Sequence, residues 1–152
     1  MAVTRTVRLG MDGKCYRNTG TYASPTWSEL SHVRNLSISV EVNEVDASDR
    51  ASVFALVEKG LVQFTVEFQY RYTAGDAEWT NLITESLTVG GLGQEFAIMD
   101  GDITDSGEVG WRTNSHIMAT NQGQELETAM ALDVTLKPCA NSNGNPQRYT
   151  VS

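Results

Sequence analysis

The 152-residue sequence has few cysteines and few cationic residues, and it lacks any long apolar run. Its two cysteines, Cys15 and Cys139, lie far apart, without a Cys-x-x-Cys pair or a nearby pair of histidines, so a structural zinc site has no support. In a reducing compartment a disulfide between them is not expected. The 11 lysines and arginines stand against 19 aspartates and glutamates, and the net charge of −8 argues against simple nucleic-acid binding through a basic surface.

Signals for membranes and for export are missing as well. No stretch is apolar for long enough to span a bilayer, and the first ten residues, MAVTRTVRLG, contain no apolar core of a secretory signal. We therefore expect no membrane insertion, and we expect synthesis in a cytoplasm. A chain of this length is expected to form one domain with a real hydrophobic core.

Motifs typical of catalysis or ligand binding are scarce. The two histidines, His32 and His116, belong to no HExxH pattern, and no GxSxG motif accompanies them. The acidic stretch DGDITDSGE (100–108) does not have the ligand spacing of an EF-hand, so a solvated loop is favoured over a calcium site. We expect a protein that is not an enzyme and that binds no metal or cofactor.

Two segments alternate between apolar and polar residues, the pattern of half-buried β-strands. In VQFTVEFQYRY (62–72) one face carries Val62, Phe64, Val66, Phe68, Tyr70 and Tyr72, and the other carries Gln63, Thr65, Glu67, Gln69 and Arg71. In LSISVEV (36–42) one face carries Leu36, Ile38, Val40 and Val42, and the other carries Ser37, Ser39 and Glu41. We expect these strands to pair as a long hairpin with its apolar face on the core.

Residues 43–60 interrupt this alternation. Ala51, Phe54 and Val57 have roughly helical spacing, and Gly60 is placed to end a short helix. The sequence therefore predicts a long excursion between the two strands, and loops of that length are often functional or mobile.

One helix is predicted after the second long strand. Asp76 is a suitable N-cap, and Gly90-Gly91 closes the segment. The apolar stripe that should pack on the strands consists of Trp79, Leu82, Ile83 and Leu87. Further strands are predicted at residues 3–9 and 14–17 and in the segments EFAIMDG, WRTNSHIMAT and MALDVTLKP.

These elements predict a mainly β protein: an antiparallel β-barrel or a two-sheet sandwich, with one flanking α-helix and a long inter-strand loop. Residues 1–140 should form the β domain. Residues 141–152 have the composition of a polar C-terminal tail, ordered only by a partner if at all.

The segment GKCYRNTGTYASPTWSELSHVRNLSISVEVNEVDASDR (13–50) resembles the N-terminal part of phage major tail proteins, the tail tube proteins of siphophages. The likeness includes a Gly-Lys-x-Tyr strand, the NTGTYASPTW loop, and a turn that leads into an alternating strand and an acidic loop. Near the other end, ALDVTLKPC (131–139) is similar to the final strand of that family. Cys15 departs from the pattern, because an aliphatic residue is commoner there.

The resemblance implies a structural subunit that assembles with itself into hexameric rings, which stack into a hollow tube in the virion tail. Other tail proteins, the tape measure and the terminator, are the implied partners, and assembly would take place in the cytoplasm of the bacterial host. The implied lumen-lining residues are Ser37, Ser39, Glu41, Gln63, Thr65, Glu67, Gln69 and Arg71. The loop at 43–60 would reach the adjacent ring through Glu44, Asp46, Asp49, Arg50 and Phe54.

The implied passenger of the tube is DNA, which an acidic or polar lumen would conduct into the host without specific binding, since a basic wall would bind phosphates strongly. A second function remains open from the residues, a monomeric or trimeric β-domain for virion decoration or host binding. A hydrolase is the least favoured function because no nucleophile–base set is visible.

Overall fold

The computed structural model describes residues 13–51, 53–91, 93–124, 126, 129–140 and 146–152. The predicted strand at 3–9 lies outside these ranges. The described residues form β1 (Lys14–Asn18), β2 (Trp27–Glu29), β3 (Val33–Asp46), β4 (Val57–Arg71), α1 (Ala77–Leu87), β5 (Gln94–Met99), β6 (Val109–Gly123), β7 (Ala131–Pro138) and β8 (Gln147–Thr150). No helix in these ranges is long and apolar enough to cross a bilayer.

The strands form an antiparallel sheet in the order β2-β1-β5-β6-β7-β4-β3, and β8 pairs with β6. The two end strands, β2 and β3, do not pair with each other among the described residues, so the sheet is open and sandwich-like rather than a closed barrel. The predicted mainly β antiparallel fold with one flanking helix is confirmed. Within the C-terminal segment, which was expected to be ordered only by a partner if at all, Gln147–Thr150 form β8 against the first residues of β6.

The main core lies where β1 and β5 fold over β4 and β7. Val66, Phe68, Phe96 and Leu136 are buried there, and all four belong to the apolar positions of alternating strands. Side chains at every second position of neighbouring strands therefore meet in one cluster, which explains why the two-residue period predicts the core of the body so well.

Helix α1 begins at the predicted N-cap. One carboxylate oxygen of Asp76 accepts the backbone N–H of Glu78 at 3.0 Å. The other accepts the hydroxyl of Tyr70 at 2.6 Å, which ties the helix to β4. Burial, followed by the hydrogen bond to Asp76, raises the pKa of Tyr70, so the phenol stays protonated and continues to donate.

The buried face of α1 covers the core as predicted, except at its last residue. Trp79 and Leu82 are buried and Ile83 is partly buried against the main core. Leu87 is exposed, because the helix ends beyond the side chains that it covers. The predicted stripe is therefore correct for three of its four residues.

A second, smaller core lies on the other face of β5. It contains Tyr16, Ala97, Met99 and Ile103, with Trp27, Tyr149 and Val151 packed against it. Arg112 lies beside this cluster, where its Nε donates to Glu95 and its guanidinium donates to the carbonyl of Tyr22 at 2.6 Å. The guanidinium carbon also lies 4.0 Å from the centre of the Tyr22 ring, a cation–π contact. These contacts attach the NTGTYASPTW loop to β6.

The β3–β4 hairpin confirms the predicted pairing of the 36–42 and 62–72 segments, but the excursion between them is shorter than predicted. Strand β3 continues to Asp46 and β4 begins at Val57, so the turn comprises residues 47–56 and Gly60 lies within β4. No described residue of the turn is helical. Cross-strand pairing outweighs a weak helical spacing, and the Ser48 side chain closes the turn by accepting the Leu56 N–H at 2.8 Å.

A β-bulge at Asn35 sets the register at the base of the hairpin. Arg34 pairs with Gln69 and Ser37 pairs with Glu67, so β3 holds one residue more than β4 between these pairs. Asn35 takes this extra place with φ of 54°, in the left-handed region that asparagine tolerates better than most residues. The bulge allows both Val33 and Leu36 to reach the core despite their odd spacing.

Candidate functional site: a polar sheet face and an exposed hairpin arm

The polar residues predicted on the two long strands lie together on one face of the sheet. An open concavity of about 350 Å³ is lined by Ser37, Ser39, Glu41, Gln63, Thr65, Glu67, Thr135 and Lys137. A neighbouring concavity of about 320 Å³ continues the surface over Gln69 and Asp133. Arg71 follows the same alternation and is exposed, but it lines neither of these two concavities.

Side-chain hydrogen bonds run across this face from strand to strand. The Nε of Arg34 donates to the Gln69 side-chain oxygen at 2.6 Å, and the Gln69 amide donates to Asp133 at 3.2 Å. β6 extends the face, since Asn121 pairs with Asp133 and Ala119 pairs with Thr135. The polar face therefore spans four strands in the order β6-β7-β4-β3.

The polar face is close to charge balance. Its described residues on β3, β4 and β7 include three carboxylates and three cations, which are Glu41, Glu67, Asp133, Arg34, Arg71 and Lys137. The net charge of −8 is therefore not concentrated on this surface. Hydroxyl, amide and balanced charged groups give it a hydrated surface that is polar rather than acidic overall.

Three charged members of this face, Arg34, Asp133 and Lys137, were not assigned to it from the sequence. The alternation of MALDVTLKP places Asp133 outward, but it does not say that β7 lies next to β4. Arg34 requires the bulge at Asn35, because simple alternation from Leu36 would put position 34 on the apolar face. Neighbouring strands and bulges are set by tertiary packing, which a single sequence does not reveal.

Beyond the body of the protein, the hairpin continues as a two-stranded ribbon, here called the arm (residues 39–46 and 57–63). β7 covers β4 only from Val66 to Arg71, so the described strands leave the arm without a third strand. Apolar residues of the arm are exposed, among them Val40, Val42, Val45, Val57, Leu61 and Val62.

This exposure corrects part of the predicted apolar face. Phe64 to Tyr70 are buried at alternate positions as predicted, but Val40, Val42 and Val62 are exposed, and so is Tyr72 at the other end of the segment. The alternation is the same throughout, while the layer that would cover the arm is not supplied by the described part of this chain. An isolated two-stranded hairpin is marginal in water, so a layer that covered the arm would stabilise it.

The five predicted inter-ring residues lie at or near the end of the arm. Glu44 and Asp46 belong to β3, and Asp49, Arg50 and Phe54 belong to the turn at 47–56, here called the tip. The carboxylate of Asp49 accepts the N–H of Ala51 at 2.9 Å, and that of Asp46 accepts the N–H of Ser48 at 2.9 Å. The hydrogen bond from Ser48 lowers the pKa of Asp46. Phe54 is exposed, and so is Val53, which the sequence did not single out.

Besides the edge of β4 within the arm, two edges of the polar sheet are unpaired among the described strands. β3 pairs with β4 alone, so its outer edge is unpaired over its whole length. β5 pairs with β6 only from Gly110 to Ser115, which leaves the same edge of β6 unpaired from His116 to Gly123. Exposed edges present rows of unsatisfied N–H and C=O groups and pair readily with another chain.

No protein-family model and no curated protein matches the sequence. Solved structures do match. The SPP1 tail tube aligns with a TM-score of 0.72 and 14% identity, covering 95% of this chain and 80% of that chain. The tail of a gene transfer agent particle, a structure described with C6 symmetry, aligns with a TM-score of 0.67 and 14% identity over 96% of this chain and 100% of that chain.

A third match is the sheath–tube complex of an extracellular contractile injection system, with a TM-score of 0.64 and 10% identity over 97% of this chain and 95% of that chain. Identities this low show the fold alone. The resemblance noted in residues 13–50 thus extends to the whole architecture, and this chain has the fold of tail tube proteins.

Proposed function

We propose that this protein is the structural subunit of a tail tube. Copies close edge to edge into hexameric rings, and the rings stack into a hollow tube through which DNA passes. The observation that carries the proposal is the arm: a long ribbon with exposed apolar side chains, attached to a sheet with two unpaired edges, in a chain with the fold of tail tube proteins.

Ring closure follows from the two edges. The outer edge of β3 and the edge of β6 from His116 to Gly123 lie at opposite ends of the four-stranded polar face. When β3 of one copy pairs with β6 of the next, the contact is heterologous, and such contacts generate a ring when the rotation closes. The polar faces of all copies then form one continuous inner wall, and the outer edge of β3 and the free edge of β6 are both paired.

The polar face suits a wall that DNA passes. Ser37, Ser39, Glu41, Gln63, Thr65, Glu67, Gln69 and Arg71 line the lumen in this arrangement. Strong phosphate binding needs an excess of cations that releases counterions, and the balanced charges of this face provide none. Low friction therefore comes from the absence of net positive charge at the wall.

The role is structural rather than catalytic, and the protein acts in the virion tail after assembly in the host cytoplasm. Its partners are its own copies, followed by the tape measure inside the tube and the terminator at its end. The glutamates, aspartates and Arg50 of the arm and tip contribute polar contacts between rings, and the apolar residues of the arm pack on the neighbouring copy.

Electron microscopy of the purified protein tests assembly directly. We expect hollow fibres of uniform width, which a decoration or host-binding domain would not form. Val42→Glu combined with Val62→Glu should abolish the fibres while leaving the monomer folded, because both side chains are exposed in the isolated chain. Val89→Glu, at an exposed apolar residue outside the arm, is the matched control and should assemble normally. Only discrete monomers or trimers of the unaltered protein at high concentration would contradict the proposal.

DNA passage tests the assignment of the wall. Virions with Gln63→Lys, Glu67→Lys and Gln69→Lys should eject DNA more slowly, because each copy gains cations facing the phosphates. Thr80→Lys, at an exposed position of α1, adds charge away from the polar face and serves as control. Ejection at the unaltered rate by the triple variant would contradict the assignment of these residues to the lumen.

A further inference from the structure

We propose that neighbouring copies in one ring are displaced along their shared strand edge, so that the arm of one copy pairs with β6 of the next and α1 of that next copy covers the apolar face of the arm. The proposal rests on the proposed tube function. It names the part of the neighbouring copy that supplies the layer missing behind the arm.

The pairing within one copy shows which residues would lie side by side without a displacement. Ala119 of β6 pairs with Thr135 of β7, and Thr135 pairs with Glu67 of β4. Glu67 in turn pairs with Ser37 of β3. All these pairs are antiparallel, so β3 also runs antiparallel to β6 of the next copy. If the row continued at the same height, Ser37 would lie beside Ala119 of that copy, and the strands would run parallel to the tube axis.

Strands in closed barrels are tilted rather than upright. The tilt is typically about 35–45° and requires a stagger between strands. With strands roughly 4.8 Å apart and a rise of roughly 3.3 Å per residue, a tilt of about 35° displaces each strand by about one residue. Each copy contributes β6, β7, β4 and β3 to the wall, so neighbouring copies are displaced by about four residues, or about six at 45°. An even displacement also keeps the polar faces of both copies on the same side.

The free edges decide the direction of this displacement. Among the described strands, β6 is unpaired on this edge from His116 to Gly123, whereas β3 extends from Val33 to Asp46. A displacement toward the arm gives every residue of the free β6 edge a partner on β3, and at about four residues it places Glu41 beside Ala119. The opposite displacement would leave only the first residues of β3 facing β6.

The element behind β6 then covers the arm. Because polar and apolar faces both continue across the shared edge, Val40 and Val42 lie on the same side of the sheet as the core-facing residues of the neighbouring β6. The hydroxyl of Thr120 donates to the hydroxyl of Ser86 at 3.3 Å, so the last turn of α1 lies against this part of β6. The neighbouring α1 is therefore placed to cover the apolar face of the arm.

Two apolar side chains at this place are exposed in the isolated chain. Leu87, in the last turn of α1, is 76% exposed although it belongs to the predicted apolar stripe. Met118, at the bulge in the free half of β6, is 60% exposed. The displaced arrangement brings the arm of the neighbouring copy against both. One contact therefore buries apolar surface that each copy leaves exposed by itself.

Disulfide cross-linking measures the displacement. A protein with Glu41→Cys, Ala119→Cys and Cys139→Ser carries one new thiol on each exposed edge, and the buried Cys15 is left in place. Opposite residues of antiparallel strands lie within the Cα separation that a disulfide spans. Mild oxidation of assembled tubes should give a ladder of linked chains that ends at the hexamer, because the contact closes within one ring. A ladder that continued past the hexamer would overturn the proposal.

The same β6 cysteine combined with other positions of β3 gives the comparison variants. Ser37→Cys with Ala119→Cys is the control for no displacement and should give no linked chains above background. Asn43→Cys with Ala119→Cys reports the larger displacement; both β3 positions are exposed, and Asn43 lies on the polar face, where it accepts a hydrogen bond from Gln63. Linkage through Glu41→Cys or Asn43→Cys supports the proposal, at the smaller or the larger tilt respectively.

The remaining outcomes separate this contact from the tube itself. Tubes that are linked mainly through Ser37→Cys, or through none of the three positions, would overturn the displacement and leave the tube function intact. Failure of the unaltered protein to form tubes at any concentration would instead contradict the proposed function.

Leu87→Glu tests the cover from α1 without disulfide chemistry. The side chain is exposed in the isolated chain, so the monomer should keep its unfolding midpoint, whereas tubes should be lost because a carboxylate would be buried against the arm. Val89→Glu, at an exposed residue beyond the C-cap Thr88, is the matched control and should assemble normally. Tubes in normal yield from Leu87→Glu would show that α1 does not cover the arm and would overturn that part of the proposal.

Discussion

The two halves of the β3–β4 hairpin share one sequence pattern and differ in what covers them. In the half that belongs to the body, Val66 is 0% and Phe68 3% exposed, whereas Val62 in the arm is 61% exposed. All three lie on the same strand at alternate positions, so strand propensity and periodicity do not separate them. One half has β7 beside it in the sheet and residues of β5 and α1 packed on its apolar face, whereas no described buried residue packs on the apolar face of the other half.

The comparison shows what a two-residue period encodes. It specifies that one face of a strand is apolar, and the free energy of burial then requires that the face be covered, at roughly 25 cal/mol per Å² of apolar surface. It does not say whether the cover comes from the same chain. An alternating pattern that continues past the last neighbouring strand therefore indicates assembly. Substitutions in the body should change the stability of the monomer, whereas substitutions in the arm should change assembly.

The largest difference in stability between body and arm is expected for two phenylalanine substitutions. Phe68→Ala in the body should lower the free energy of unfolding by about 3–5 kcal/mol, because it leaves a cavity in the main core. Phe54→Ala at the tip should change the stability of the monomer by less than about 0.5 kcal/mol, as exposed substitutions usually do. Urea denaturation of both variants at concentrations too low for assembly measures the difference. Equal losses would mean that the tip packs on the body in the monomer.

Two arginine substitutions within the body should differ in how much they lower the free energy of unfolding. Arg112→Ala removes the partner of Glu95, whose side chain is buried, so we expect a loss of roughly 3–5 kcal/mol in the free energy of unfolding. Arg148→Ala, whose ion pair with Asp100 spans 3.7 Å at the surface, should cost less than about 1 kcal/mol. Thermal or urea unfolding compares them. Combining Arg112→Leu with Glu95→Leu should recover part of the loss, because no buried charge is then left alone.

Much of this architecture could be predicted from local patterns, because local patterns decide it. The hairpin, the N-cap at Asp76 and the polar alternation from Ser37 to Gln69 depend on neighbouring residues or on a simple period. The structure differs from these sequence-based predictions where contacts between residues far apart in the sequence determine the conformation. The helical spacing of Ala51, Phe54 and Val57 yields to cross-strand pairing, and Arg34 reaches the polar face through a bulge.

The polar face was only half predictable for the same reason. Apart from Arg34, its residues on β3 and β4 follow from alternation. The contribution of Asp133 and Lys137 depends on β7 lying beside β4, a pairing across more than sixty residues of sequence. The near balance of charge follows from these additions. Net charge of the whole chain is therefore a poor guide to the charge of one surface.

Substitutions of Asn35 test whether the left-handed backbone of the bulge constrains the residue at this position. Asn35→Val should destabilise the protein by about 1–2 kcal/mol, because a β-branched residue tolerates a φ of 54° poorly. Asn35→Gly relieves that strain and should stay within about 0.5 kcal/mol of the unaltered protein. Chemical denaturation measures both. If the two variants were equally stable, the left-handed backbone at this position would not be a constraint.

The smallest expected effect concerns pH and lies in the loop beside the second core. The backbone N–H of Thr104 donates to Asp102 at 3.0 Å and its hydroxyl donates at 2.8 Å, and with a further hydrogen bond from Lys14 these contacts lower the pKa of Asp102 to about 2 from an ordinary value of 3.8. A carboxylate with a depressed pKa stabilises the folded state above its unfolded pKa, and that contribution is lost as the pH falls through the folded one.

Asp102→Asn should therefore cost a constant amount, less than about 1 kcal/mol because the side chain is partly exposed, from neutral pH down to about pH 5. The difference from the unaltered protein should shrink between about pH 4 and pH 2 and vanish below that range. Thr104→Val removes the hydroxyl donor and should raise the pKa of Asp102 toward its ordinary value, which an NMR titration of the carboxyl carbon can follow. An unchanged titration would show that the backbone N–H and Lys14 hold the carboxylate without the threonine hydroxyl.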